Sequence, residues 1–235
     1  MKAVGAKLQG QTHKKNNQAC QDHISYRTGK NILFAALADG AGSRRYGGES
    51  AKTAVEVTDG YFKRKRKIFC NCKTVSADIS ELFERKYKEY GLKKKDIGTT
   101  LLFVAILGNK YIAGHIGDGV IIMKNAHGIS VLSEPENGLY ENETFFLPQE
   151  TEADHFRIYT GEIDQKSGFI LASDGISGAL YSTKEQKPAY EACEKLIDWI
   201  RNASGREGKE ILENNLKNAF YNYSGDDKSI VVCAL

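Results

Sequence analysis

Residues 33–38, LFAALA, contain no polar side chain, yet they run directly into Asp39 and the flexible Gly40-Ala41-Gly42 segment. A short apolar run bounded by glycine describes a buried strand, and here it ends on a carboxylate. An Asp-Gly step after a strand is often only a turn. In this chain the pattern recurs: Asp118 in HIGDG, Asp174 in ILASDG and Asp226 in SGDDKS each sit beside an apolar run and next to glycine. Four similar strand-end carboxylates suggest one shared site, and that requirement constrains the fold more than any other feature.

Taken in order, residues 2–8 and 23–27 have weak strand character and flank a polar loop, GQTHKKNNQACQDH, that contains Asp22. After ADGAGS, Ala51, Ala54, Val55, Thr58 and Phe62 recur at helical spacing over about 47–66. Ile79, Leu82, Phe83, Tyr87 and Tyr90 repeat the pattern, with Gly91 as the stop. From Gly98 the chain turns to TTLLFVAIL, KYIAGHI and VIIMK, separated by Gly108-Asn109 and Gly117-Asp118-Gly119. These read as hairpin turns in an antiparallel sheet, which puts Asp118 at a hairpin tip.

The polar segment 134–152 reads as a surface flap, and 155–162 and 168–173 return to strand character. Cys193, Leu196, Ile197 and Ile200 mark one further helix face; Ile211, Leu212, Asn215, Leu216, Ala219 and Phe220 mark the next. The last strand is 229–234, entered through Gly225-Asp226-Asp227. Strands, helix pair, strand block, helix pair, strand is an α+β order, expected to give two sheets covered by helices on their outer faces. No repeat or linker divides it, so one domain over 1–235 is expected.

The charge of +3 is mild and does not imply a nucleic-acid partner. The basic runs 63–67 and 93–95 lack interleaved aromatic residues, and the first falls where a helix would end. The longest apolar runs are too short to cross a bilayer, and residues 1–15 lack a secretion signal, so a cytoplasmic protein without a membrane partner is expected. Five scattered cysteines (Cys20, Cys70, Cys72, Cys193, Cys233) fit a reducing compartment, and the lone CxC has no second pair at zinc-site spacing.

Clustered carboxylates repel one another unless a cation neutralises them. Oxygen donors suit magnesium, manganese or calcium, and the histidines (His13, His23, His115, His127, His155) show no HxH or HExxH spacing. Two such ions about 3.5–4 Å apart activate a bridging water for displacement at phosphorus. The chain has no GxxxxGK[ST], no GxSxG and no kinase HRD or DFG set. ADGAGS also lacks the second carboxylate of a DxD aspartyl-phosphate site, which leaves water as the nucleophile.

In chain order, CQD (20–22), ADGAGS (38–43), GTT (98–100), IGDG (116–119), SDG (173–175) and DDKS (226–229) resemble the metal-dependent type 2C serine/threonine protein phosphatases. The opening Gly10-Gln11-Thr12-His13 and the segment GLYENETFFL look like a bacterial subgroup of that family. The resemblance implies a four-layer α-β-β-α sandwich, two antiparallel sheets flanked by helix pairs, with a binuclear manganese or magnesium site at one end. It implies that Asp39 bridges both ions, that the Gly40 carbonyl binds one, and that Asp174 and Asp226 hold the other. Asp22 would be a ligand or a partner of bound water, and Asp118 would serve a third, looser ion. Asp39, Asp174, Asp226 and Asp22 are thus the catalytic candidates, and Asp227 ranks below Asp226 because its position is often Asn.

Three departures stand out. Gln21 occupies a position that is often Glu, Ala41 stands where some members carry a proposed general-acid His, and the phosphate-binding Arg of many members should lie near Asn17. His13, Lys14, Lys15 or Arg44 is expected to bind substrate phosphate instead. The expected partner is a protein phosphorylated on Ser or Thr, with a bacterial kinase in opposition, and the expected state is a monomer. The alternative reading is a catalytically silent phosphoprotein-binding module.

Overall fold

The computed structural model describes residues 1–64, 68–69, 71–137, 144–148 and 155–235. Two five-stranded antiparallel sheets stack face to face, numbered here in chain order. One runs β2 (His23–Gly29), β3 (Ile32–Ala38), β4 (Leu101–Leu107), β5 (Lys110–Ile116), β8 (Arg157–Glu162). The other runs β1 (Lys2–Leu8), β12 (Lys228–Ala234), β9 (Gly168–Ala172), β6 (Val120–Asn125), β7 (Gly128–Ser133). A two-stranded hairpin, β10 (Tyr181–Ser182) and β11 (Lys187–Pro188), stands apart from them.

Side-chain alternation explains why the central strands are apolar throughout. Leu33, Ala35 and Leu37 of β3 pack between the sheets with Leu102, Val104, Leu171 and Val231. The intervening Phe34, Ala36 and Ala38 face α2 (Gly47–Arg64) and α3 (Val75–Glu89). On the far side Ile170, Ile230 and Val232 meet α5 (Tyr190–Asn202) and α6 (Gly205–Asn218). Cys193, Leu196, Ile197 and Ile200, the face expected from spacing, are the buried residues of α5. Ser204 and Glu207 form a capping box that starts α6. The four layers are therefore helix, sheet, sheet, helix, as the resemblance implied.

Strand register carries the acidic tips to one end. Leu37 at the end of β3 pairs with Leu102 at the start of β4, and Leu101 pairs with Ile116 at the end of β5. In the second sheet Ala172 pairs with both Val120 and Ile230. Asp39, Asp118, Asp174 and Asp226 all lie just beyond these residues.

Three local expectations are corrected. The Gly117–Gly119 link is no hairpin: β5 and β6 belong to different sheets, and the link crosses between them. No helix is expected between the 168–173 strand and the Cys193 face, yet Asp174 of SDG opens α4 (Asp174–Leu180). The polar loop after β1 contains α1 (Gln11–Lys15). The flap expected over 134–152, the helix end expected at 63–67 and the Cys70 thiol fall partly or wholly outside the described residues. Among those described, no helix is long and apolar enough to cross a membrane.

Candidate active site

The GTT motif fixes the tip of β3. The Asp39 N–H donates to Thr100 Oγ1 at 3.0 Å, and the Asp39 carbonyl accepts from Thr99 Oγ1 at 2.7 Å and from the Thr100 N–H at 2.9 Å. With its backbone satisfied on both sides, Asp39 presents its carboxylate as a rigid group. A Cβ on Gly40 would lie 2.3 Å from the Gly47 backbone, so only glycine lets this loop lie against the start of α2.

Asp39, Asp118, Asp174 and Asp226 line one open cleft of about 660 Å³, together with Gly40, Thr100, Thr144 and His13. Thr144 Oγ1 donates to Asp118 Oδ2 at 2.6 Å. Asp22 lies behind the cleft, 1% exposed, and its Oδ2 accepts from Ser173 Oγ at 3.0 Å. Ser173 Oγ in turn accepts from the Ser229 N–H at 2.9 Å, which ties the ends of β9 and β12 to Asp22. Asp22 Oδ1 and Asp174 Oδ1 are buried with no hydrogen-bond partner among the described residues.

Burial, followed by the charges of Asp22 and Asp174, pushes the Asp39 carboxyl well above the usual carboxylate range. Burial, then Asp118, raises Asp174 to about 7, and burial raises Asp22 to about 6. Asp118 is raised by burial against the opposing Thr144 hydrogen bond. Without a cation, burial and mutual repulsion favour the protonated form of each of these groups. Among the described residues no three His, Cys, Asp or Glu side chains converge as a ready-made metal cage.

Two charged residues beside Asp226 have different work. Asp227 is 1% exposed; its Oδ1 accepts from the Gly10 N–H at 2.6 Å, and its Oδ2 accepts from the Gln21 N–H at 2.6 Å. Oδ2 also lies 2.8 Å from His13 Nδ1. Both oxygens are committed, which removes Asp227 from the candidate ligands. Lys228, 1% exposed, donates from Nζ to the carbonyls of Ser224 and Asp226, each at 2.8 Å. It sits beneath the Asp226 turn as a cation built into the acidic cluster, its own pKa lowered by burial against the pull of Asp226 and Asp227.

A family profile for protein phosphatase 2C matches residues 9–220, nine-tenths of the chain, which takes in the motifs around Asp39, Asp118 and Asp174 and ends before Asp226. The chain belongs to the protein phosphatase 2C family. Serine/threonine-protein phosphatase 3 of Escherichia coli K12 is 24% identical over 229 residues, spanning 92% of this chain and 89% of that protein. A serine/threonine phosphatase of S. agalactiae superposes with a TM-score of 0.69 at 18% identity, covering 99% and 98% of the two chains. RsbX, solved in complex with magnesium, superposes with a TM-score of 0.60 at 16% identity over 98% and 93%. These likenesses carry the protein phosphatase 2C fold.

Within that fold, the four residues expected to hold phosphate separate. His13 lines the cleft, whereas Lys14, Lys15 and Arg44 do not. Lys14 Nζ lies over the Tyr221 ring at 5.8 Å from its centroid, and Arg44 Nη1 donates to the Lys95 carbonyl at 3.1 Å. Sequence reasoning passed over Lys228, Ser173 and Thr144. Strand parity gave a signal for Ser173, which continues the inter-sheet row of Phe169 and Leu171. Thr144 had none, because it reaches Asp118 from a segment with no period.

Proposed function

We propose that this chain is a metal-dependent protein phosphatase, a single functional domain that hydrolyses phosphoserine and phosphothreonine esters of proteins. The observation that carries this reading is the cleft itself: four carboxylates on four strand ends, with a buried and unpartnered Asp174 oxygen among them. An all-oxygen, mutually repelling donor set with raised pKa values fits a hard divalent cation such as magnesium or manganese. Asp39, Asp174 and Asp226, with the Gly40 carbonyl, are the residues that would hold the ions; Asp118 would serve a further one, and Asp22 would hold bound water from behind. Bound there, the ions would supply an activated water and neutralise the charge that develops on phosphorus-bound oxygen.

The chain's own residues supply position. The Thr99 and Thr100 hydrogen bonds fix Asp39, Lys228 fixes the Asp226 turn, and Ser173 orients Asp22. RsbX, which shares the fold, was solved with magnesium, and the Escherichia coli relative carries the name of a serine/threonine phosphatase. Both support this assignment, and a phosphorylated protein with its opposing kinase is the partner it implies.

The deciding experiment is hydrolysis of p-nitrophenyl phosphate and of a phosphothreonine peptide, with manganese and with chelator, by the wild type and Asp174→Asn. Turnover that needs manganese and falls at least about 10²-fold in the variant is expected. Metal binding without turnover would replace this reading with the silent phosphoprotein-binding module. Turnover indifferent to chelator would overturn the mechanism.

A further inference from the structure

His13 and Asp227 form a pair that the metal-holding residues do not use. Asp227 is locked by two backbone N–H donors, from Gly10 and Gln21, so its carboxylate cannot swing away. A Cβ on Gly10 would lie 2.3 Å from Asp226, and only a glycine lets the strand-to-helix segment pass close enough to make the first of those bonds. His13 Nδ1 donates to Asp227 Oδ2 at 2.8 Å. That bond fixes the ring's orientation and keeps a proton on Nδ1, so Nε2 is the nitrogen that gains a proton when the ring becomes imidazolium and gives it up again. Nε2, on the opposite side of the ring, has no partner among the described residues, and the side chain is 14% exposed in the wall of the cleft that the carboxylates line. The charged groups around it are Asp227, the adjacent Asp226, and Lys14 and Lys15 on its own turn, with Lys14 drawn away over Tyr221.

We propose that His13, held by Asp227, is the general acid that protonates the departing seryl or threonyl oxygen. This rests on the phosphatase reading above. The P–O bond to the side-chain oxygen of the phosphate dianion breaks, its electron pair passes to that oxygen, and the Nε2 proton of the His13 imidazolium goes with it to give the free hydroxyl and a neutral ring. The attacking water brings oxygen and two protons to phosphorus, so the product leaves as dihydrogen phosphate. One of its protons returns through solvent to the neutral imidazole, whose Nδ1–H has stayed on Asp227 throughout. An alkoxide is a poor leaving group and needs that proton, whereas p-nitrophenolate departs without it. The residue is therefore a catalytic group for peptide substrates and much less so for activated aryl esters.

The test compares kcat on a phosphothreonine peptide with kcat on p-nitrophenyl phosphate, manganese-saturated, for wild type, His13→Gln, His13→Asn and Asp227→Asn. In the His13 variants the peptide-to-aryl ratio of kcat is expected to fall by about 10²-fold, within the usual range for a lost general acid. KM for the peptide and manganese affinity by calorimetry should stay within about 3-fold of wild type. Asp227→Asn should lower the same ratio at least about 10-fold, and the His13 variants decide the matter if that protein misfolds. An unchanged ratio, or equal losses on both substrates with a raised KM, would overturn the assignment and leave His13 holding phosphate or structure. A wild type that turned over neither substrate would overturn this assignment together with the phosphatase reading; an active wild type with an unchanged ratio would overturn this one alone.

Discussion

Lys228 carries a positive charge into the most acidic part of the molecule, and its two 2.8 Å bonds end on the backbone carbonyls of the very turn that presents Asp226. Replacing it with methionine keeps the length of the side chain and removes the donor, leaving both carbonyls without it. Hydrogen bonds from a charged donor contribute about 1.5–3 kcal/mol, so Lys228→Met is expected to lower Tm by about 3–10 °C. Its effect on manganese separates two roles by sign. A lysine acting only as a charge opposes cation binding, and its removal would tighten manganese; a lysine that holds the Asp226 turn would, once lost, weaken it by about 10-fold. Weakening is the outcome expected, read by calorimetry. The motif DDKS displays Lys228 in the sequence, but nothing there says that the side chain folds back under its own turn. Asp39 was legible for a different reason: parity along β3 puts it in the row of Leu33, Ala35 and Leu37, and so at the mouth of the layer between the sheets.

The elements were legible wherever a period ran long enough. The faces of α2, α3 and α5 follow from spacing, and β3 and β12 from unbroken apolar runs buried on both sides. The Gly117–Gly119 link was not, because a glycine-rich turn records local geometry and not which sheet the next strand joins. His115, one residue before the end of β5, is fully buried. Ser133 Oγ lies 2.7 Å from its Nδ1 and Arg157 Nη2 3.1 Å from the same atom, so the ring accepts there and stays neutral. Burial, then the Arg157 charge, holds its pKa well below the ordinary 6.5. A histidine depressed in the folded state contributes stability above its unfolded pKa, and that stability is lost as pH falls. The wild type is therefore expected to lose stability relative to His115→Leu on descending from about pH 6.5 toward about pH 5, as measured by denaturant midpoints of both proteins across that range. Parallel midpoints at every pH would refute the neutral, buried assignment.

At the scale of the whole molecule, two sheets are held together by an apolar layer while their acidic ends are forced into one cleft. The fold thus keeps unfavourable charge proximity that folding alone would not select, a cost characteristic of a site that awaits a ligand. The sign of the resulting pH dependence follows from the raised values of Asp22, about 6, and Asp174, about 7, against 3.8 in the unfolded chain. Carboxyls raised by folding favour the folded state when protonated, so stability of the metal-free protein from this source is complete below about pH 3.8 and declines as pH rises through about 6 and 7. Metal binding demands the opposite state, because the same carboxylates must shed their protons to bind a cation. The gap in Tm between manganese-saturated and chelated protein is therefore expected to widen from about pH 5 to about pH 8. At 100 times Kd, binding contributes about 2.7 kcal/mol, or about 5–11 °C for a chain of this size. The gap cancels the His115 effect, which is common to both forms. Asp39→Asn should close it at every pH and, by removing one of the repelling groups, raise the Tm of the chelated protein at about pH 8 by about 2–4 °C. A gap that is the same at both ends of that pH range, or that survives in Asp39→Asn, would separate the carboxylate cluster from the metal and return the cleft to a purely structural role.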